Sequence, residues 1–149
     1  MREGQEVLAR TLWGEARGGD GSPGFDDNIR GMEAVACVVM NRIAVAKAHG
    51  GWYWWGGTVQ DVCRKPRQFS CWNADDPNKA KMEAVTEADP AYAAALRIAG
   101  RAVAGALADV TRGATHYHAE GVSPKWALAM ELRAIVGRHR FYREGEASK

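Results

Sequence analysis

Two stretches of this sequence repeat apolar residues every three or four positions, and this pattern constrains the fold more than any other feature. In the first stretch the repeating residues are Met32, Val35, Ala36, Val39 and Ile43. In the second they are Tyr92, Leu96, Ala99, Val103, Leu107 and Val110. The spacing places each set on one side of an α-helix, so each helix needs a partner to cover its apolar face. The chain is therefore predicted to be built mainly from packed helices.

Local signals predict where the helices begin and end. A first helix over residues 3–17 is expected to stop at Gly18 and Gly19, because glycine readily adopts the conformations that terminate helices. Residues whose side chains can cap a helix precede the other helical stretches. The predicted caps are Asp26 or Asp27 for the second helix, Thr58 for a short helix through about Cys63, and Asp89, followed by Pro90, for the third long helix.

Two short segments near the C-terminus, residues 114–119 and 138–142, favour β-strands, with a turn-rich piece around residues 122–124 between them. The predicted fold class is therefore α+β, dominated by helices, with a small antiparallel sheet near the C-terminus. A chain of 149 residues is long enough for one hydrophobic core and too short for two. Residues 1–149 are expected to form a single domain.

Composition excludes several classes of protein. Apolar residues make up 46% and charged residues 26% of the chain, which is an ordinary globular balance. The net charge of +2 is too small to predict nucleic-acid binding, and no apolar run approaches the ~20 residues that cross a membrane. Residues 1–6 lack the apolar stretch of a signal peptide, so synthesis in the cytoplasm is expected. The three cysteines form no CxxC pair, which disfavours a disulfide framework or a zinc ribbon.

Glu15 is the first candidate for chemistry because of its position. It follows Leu12 by three residues and Leu8 by seven, so it shares the apolar face of the first helix. It also lies in the last turn, where the negative end of the helix dipole disfavours a carboxylate. Both effects favour the protonated carboxyl that a general acid needs, although Arg17 is close enough to oppose them. The alternative is a glutamate that forms a structural salt bridge at the helix end.

Residues 64–72 place amide, hydroxyl and basic groups between aromatic side chains in a segment broken by Pro66. Sugar-binding sites combine such groups, because hydroxyls need polar partners and the C–H faces of sugars stack on rings. The alternative is a surface loop anchored by Phe69 and Trp72.

His116 and His118 are two residues apart on a predicted strand, so they are expected on the same face. The pair could share a metal ion, but no third ligand is evident, since Glu120 lies at the strand's end. A structural or substrate-contacting role is favoured over a metal site.

The run of residues 52–55 is aromatic and is bracketed by glycine pairs. It is predicted to be a mobile lid that uses Trp54 and Trp55 as a sugar platform. The alternative is a cover for the core.

Several motifs follow one another in a fixed order along the chain. They are Gly-Glu-Ala-Arg-Gly at residues 14–18 and the segments 34–43, 58–62, 65–70, 114–118, 124–127 and 135–142. In this order and spacing the sequence resembles the SleB/CwlJ family of cell-wall hydrolases, over nearly the whole chain from about Val7 to Tyr142. The combination is far more specific than any one motif.

The resemblance implies a lysozyme-like fold and cleavage of bacterial peptidoglycan between N-acetylmuramic acid and N-acetylglucosamine. It places the family's catalytic glutamate at Glu15, which agrees with the helix-face argument. No metal or cofactor is implied, and a monomer is expected. The residues expected to contact substrate are Arg17, Gln68, Phe69, Ser70, His116, Tyr117, His118 and Trp126.

Two departures from the family pattern bear on how the enzyme reaches the cell wall. The signal peptide and the separate wall-binding domain that are common in spore enzymes of the family are not evident in this sequence. The aromatic loop at residues 50–57 also looks longer than usual. Both favour a compact lysin of phage or prophage type.

A lytic transglycosylase is the favoured mechanism, because it needs only one carboxylate. Asp20, Asp26 and Asp27 follow Glu15, but their spacing does not fix the carboxylate separation that a hydrolase requires. A muramidase remains the nearest alternative. The rivals from other classes are a metal-dependent amidase that uses the two histidines, and a glycan-binding module without catalysis.

Overall fold

A computed structural model describes residues 2–17, 25–65, 69, 72–74, 79–119, 121–137 and 139–144, apart from the side chains of residues 2, 16, 17 and 25–28. The α-helices are α1 (Arg2–Arg17), α2 (Phe25–Ala48), α3 (Val59–Arg64), α4 (Lys79–Ala84) and α5 (Pro90–Val103). The strands are β1 (His116–Ala119), β2 (Met130–Val136) and β3 (His139–Glu144), and a 3₁₀-helix (Lys125–Ala129) precedes β2.

Two of the predicted helix starts are confirmed by hydrogen bonds at the caps. The Thr58 hydroxyl accepts a hydrogen bond from the Asp61 backbone N–H at 3.1 Å. The Asp89 carboxylate accepts from the backbone N–H groups of Ala91 and Tyr92 at 2.8 and 3.2 Å. These bonds satisfy donors that have no partner inside the helix, and they fix where the helix begins.

The predicted start of α2 and end of α5 are wrong. Helix α2 already includes Asp26 and Asp27, so neither residue caps it. Helix α5 ends at Val103, before Leu107 and Val110 of the apolar stripe. Gly105 adopts a φ of +76°, which an L side chain rarely adopts and which ends a helix.

The backbone beyond α5 forms the hydrogen bonds of a helix end. The Gly105 N–H donates to the Ala102 carbonyl at 3.0 Å, and the Ala106 N–H donates to the Arg101 carbonyl at 2.8 Å. This pair is the Schellman motif, which satisfies the last carbonyls of the helix. The predicted apolar stripe extends past the end of α5 because apolar spacing alone does not show that Gly105 adopts a left-handed backbone conformation.

Helices α1, α2 and α5 surround the main core, and α3 and α4 pack against α1. The periodic residues predicted to face this core do so, except Val110, which is exposed. Leu8 and Leu12 of α1 are fully buried beside them. The buried members of the two predicted stripes are Met32, Val35, Ala36, Val39, Tyr92 and Ala99.

The sheet has the order β1-β3-β2, and both pairs are antiparallel. The two predicted strands are present as β1 and β3, but the sequence analysis missed β2. One face of the sheet packs on α2, where Phe141 meets Ala34 and Val38 in a second buried cluster. We call this the inner face and the opposite one the outer face. Within the described residues, no helix is both long and apolar enough to cross a membrane.

Candidate functional site

Glu15 lies in the last turn of α1, partly buried, and it meets the sheet through Tyr117. The Tyr117 hydroxyl donates a hydrogen bond to Glu15 Oε1 at 2.6 Å, across 102 residues of sequence. A short hydrogen bond of this kind to a carboxylate is stronger than one between neutral groups. The contact therefore holds the Glu15 carboxyl in one orientation at the boundary between α1 and β1.

The Tyr117 ring is itself fixed by neighbouring rings on the inner face. It stacks on Phe141 with a centroid distance of 5.3 Å and meets the edge of His139 at 5.4 Å. The Phe69 ring is also close to it, with ring centroids 6.3 Å apart. A tyrosine packed in this way loses little further freedom when it binds the carboxylate.

The prediction that Phe69 contacts substrate directly is wrong. Its side chain is only 1% exposed and belongs to the main core. A sugar cannot stack on a ring that the protein already covers. Phe69 instead packs against Tyr117, so its effect on the site runs through that residue.

Arg42 was not singled out by the sequence analysis, yet it supports the strand that carries Tyr117. It is 4% exposed, and its Nε donates to the Thr115 carbonyl at 2.7 Å. Burial lowers its pKa to about 10. Its guanidinium carbon lies 4.9 Å from the centre of the Trp55 ring and 5.7 Å from that of Phe69.

Asn41, the residue before Arg42 in α2, anchors Ala114, the residue before Thr115. The Asn41 side chain donates to the Ala114 carbonyl at 2.9 Å, and to Asp109 at 3.0 Å. Two successive side chains of α2 therefore fix the entry into β1. Arg42 follows Val35 and Val39 at helical spacing, so the sequence predicts that it lies on the buried face of α2. The sequence analysis could have identified Arg42 from this spacing.

His116 and His118 share one face of β1, as predicted, but it is the outer face. Both rings contact Trp126 of the 3₁₀-helix, at centroid distances of 5.4 and 5.7 Å. Tyr117 points to the opposite side, because successive residues of a strand alternate. The structure therefore separates His116, His118 and Trp126 from the inner face, where Tyr117 meets Glu15.

The two histidines have different environments. His116 Nδ1 lies 3.0 Å from the Thr115 hydroxyl, and burial, with a contribution from Arg42, lowers its pKa to about 4. His118 Nδ1 lies 2.8 Å from the Ala119 carbonyl, and its Nε2 lies 2.9 Å from the Tyr142 hydroxyl. In the tautomer that donates from Nδ1, His118 accepts from Tyr142. Across the described part of the chain, no three His, Cys, Asp or Glu side chains cluster as a metal site would require.

The prediction of a mobile aromatic lid fails for Trp55. That side chain is 1% exposed, and its indole N–H donates to the Arg42 carbonyl at 2.9 Å. Trp54 is 38% exposed and Trp52 is 63% exposed. The loop therefore presents two tryptophans at the surface and uses the third to cover the core.

Several predicted residues lie outside the described part of the structure. They are Gln68, Ser70 and Asp20, together with the side chains of Arg17, Asp26 and Asp27.

The chain is similar to two solved structures of bacterial proteins. One is the catalytic domain of the germination-specific lytic transglycosylase SleB from Bacillus anthracis, at 22% identity and a TM-score of 0.66, covering 96% of each chain. The other is the catalytic domain of the SleB protein of Bacillus cereus, at 22% identity and a TM-score of 0.64, covering 96% of this chain and 91% of that one. The helix-dominated α+β architecture with its small C-terminal sheet is therefore a SleB-like fold.

Sequence comparison gives the family. No curated protein is a significant match to the chain. A protein family described as Cell Wall Hydrolase matches residues 26–142. This range includes α5 and all of α2 and the sheet except the first residue of α2 and the last two of β3, but it does not include Glu15. This match covers well over half of the sequence, and the chain belongs to the cell wall hydrolase family.

Proposed function

We propose that this protein is a lytic transglycosylase that cleaves peptidoglycan glycan strands between N-acetylmuramic acid and N-acetylglucosamine. Residues 1–149 would form one catalytic domain, with Glu15 as both acid and base. The observation that carries the proposal is the 2.6 Å hydrogen bond from Tyr117 to Glu15. The SleB-like fold supports it, because the solved B. anthracis relative is described as a lytic transglycosylase.

The first step needs a proton at the glycosidic oxygen. The Glu15 carboxyl donates this proton as the bond between C1 of the muramic residue and that oxygen breaks. The leaving sugar departs with a free hydroxyl, and Glu15 is left as a carboxylate. Tyr117 donates to one oxygen of that carboxylate, which leaves the other oxygen for the proton transfers.

The second step needs a nucleophile at C1. The C6 hydroxyl of the same muramic residue attacks C1, and the Glu15 carboxylate takes the proton from that hydroxyl. The product is a 1,6-anhydro sugar, no water is consumed, and Glu15 returns to its starting state. One carboxyl suffices because the nucleophile is tethered to the reacting carbon.

The surrounding core favours this route over attack by water. Tyr117, which donates to Glu15, packs against Phe69 and Phe141, which are each 1% exposed. An apolar wall of this kind gives a water molecule few polar groups to hold it. Arg17, Gln68 and Ser70 remain proposed substrate contacts, and delivery by a phage-type route remains a prediction from the sequence.

Product analysis tests the proposal. Purified peptidoglycan is digested, divided into samples with and without borohydride, and analysed by mass spectrometry. New muramic ends should have the 1,6-anhydro mass and resist reduction, and the Glu15→Gln variant should release none. If borohydride reduces nearly all new muramic ends, the enzyme is a muramidase. Release of stem peptides from intact glycan would make it an amidase instead.

A further inference from the structure

The outer face of the sheet carries a row of rings. Trp54 lies 6.5 Å from His116, and His116 lies 5.4 Å from Trp126. Trp126 meets the edge of Tyr142 at 5.6 Å, and Tyr142 stacks on His118 at 5.2 Å. The row therefore runs unbroken from the aromatic loop across the 3₁₀-helix to β3.

This row is separate from the contact at Glu15. Cross-strand pairing places His116 opposite Tyr142, and Tyr117 opposite Phe141. Paired residues point to the same side of a sheet, so the row and Tyr117 lie on opposite faces. The proposed catalytic mechanism uses none of the residues in the row.

We propose that the row is a second glycan-binding surface, which holds a stretch of the wall polymer that is not being cleaved. The inference rests on the proposed function for the identity of the polymer. Its ligand class is a strand of linked N-acetylhexosamines.

The chemistry of the row suits a saccharide. Partly exposed rings offer flat apolar faces to the C–H faces of sugars, and the row also carries polar atoms. The Tyr142 hydroxyl, when it donates to His118 Nε2, keeps lone pairs that can accept from a sugar hydroxyl. The rings are already fixed by one another, so little freedom is lost on binding.

The charges around the row also suit a polymer whose stem peptides carry carboxylates. Arg140 pairs with His118 across the strands and lies on the same face. Lys125 opens the 3₁₀-helix next to Trp126 and is exposed. The Glu144 carboxylate is engaged by the Tyr53 hydroxyl. The cations near the row therefore complement an anionic wall.

Sedimentation with insoluble peptidoglycan tests the proposal. All variants carry Glu15→Gln so that the polymer is not consumed, and their folding is checked by circular dichroism. Adding Trp126→Ala should raise the dissociation constant about 10-fold, the loss expected for one ring stack. Trp54→Ala should also weaken binding, and it is a safer change because Trp54 is 38% exposed.

The matched control is Trp52→Ala, which removes a tryptophan that is 63% exposed and lies outside the row. It should bind the wall as the parent does. If Trp126→Ala and Trp54→Ala, both folded, also bind as the parent does, the proposal fails. This readout does not depend on turnover, so it stays separate from any failure of the Glu15 assignment.

A second measurement decides whether the row is distinct from the cleavage site. In the active background, Trp126→Ala should lower kcat/KM more on insoluble wall than on short soluble glycan fragments. Equal losses on both substrates would make the row part of the cleavage cleft and overturn its role as a separate surface.

Discussion

The two faces of the three-stranded sheet are built from alternate residues of the same strands, yet they differ in almost every respect. On the inner face Phe141 is 1% exposed, packs on α2 and supports Tyr117, which bonds to Glu15. On the outer face Tyr142, the next residue, stays partly exposed beside His118. The inner face joins the sheet to the helices, while the outer face presents rings to the surroundings.

The comparison teaches that neighbours in one motif need not share a site. The segment from Thr115 to His118 resembles a family motif as a unit, but strand alternation sends His116 and His118 one way and Tyr117 the other. A motif therefore identifies the family, whereas the pleat of the strand decides which of its residues can meet Glu15.

Alanine substitutions of the adjacent β3 residues Phe141 and Tyr142 should show the largest difference between the two faces, in the free energy of unfolding. Phe141→Ala should lower the free energy of unfolding by about 3–5 kcal/mol, because it opens a cavity between the sheet and α2. Tyr142→Ala should cost less than half as much, since that ring is not enclosed. Urea unfolding of both variants measures this. Equal losses would show that the outer face is core as well.

Glu15→Gln should lower turnover at least ~10²-fold, because the amide has nearly the same shape but cannot donate the proton. Mass spectrometry of released fragments gives the rate, and the melting temperature should stay close to that of the parent. A folded variant with undiminished turnover would remove Glu15 from the mechanism. The chemistry would then have to be sought elsewhere, including on the outer face.

Stability should depend on pH through His116 of the outer face. Its pKa is lowered from 6.5 to about 4 in the folded state, so the unfolded chain takes up a proton at higher pH than the folded one. The stability gained from neutral His116 is present above pH 6.5 and is lost as the pH falls to about 4. The loss should be at most about 3 kcal/mol.

Unfolding in urea at several pH values checks this prediction, with His116→Gln as the matched control. The variant should show a shallower fall in stability between neutral and acidic pH. If the two proteins have the same pH dependence, burial of His116 does not disfavour its protonation.

Tyr117→Phe should have a smaller effect on the inner face. The ring still stacks on Phe141, so stability should change little, but Glu15 loses the donor that orients it. Turnover should fall about 10-fold, which corresponds to about 1.4 kcal/mol for one hydrogen bond to a charged group. Kinetics on soluble glycan fragments measure it. Retention of full activity would show that the contact does not position the carboxyl.

Chelation should have the smallest effect. EDTA is expected to leave activity unchanged, because the proposed chemistry needs one carboxyl and no metal. Turnover before and after dialysis against EDTA is the measurement. Loss of activity that zinc restores would favour an amidase that uses His116 and His118, and would make the outer face the catalytic one.

Short-range signals in the sequence were sufficient to predict much of the helical framework. Thr58 and Asp89 cap their helices as predicted, because a capping side chain acts on backbone two or three residues away. The stripe that ran on to Val110 was wrong because one left-handed glycine, Gly105, ended the helix. Strand β2 was missed, since its burial does not alternate regularly and a register shift lies between Leu132 and Ala134.

The sequence by itself determined the helix-dominated α+β class, the family resemblance and the place of Glu15 in the last turn of α1. These depend on periodicity and on motifs that can be read locally. Only the tertiary structure decided that Trp55 and Phe69 are buried and that the histidines face away from Tyr117. It alone brought Tyr117 to Glu15, because that bond joins residues 102 positions apart. Side-chain burial and long-range contacts arise from how the elements pack, and no local pattern specifies them.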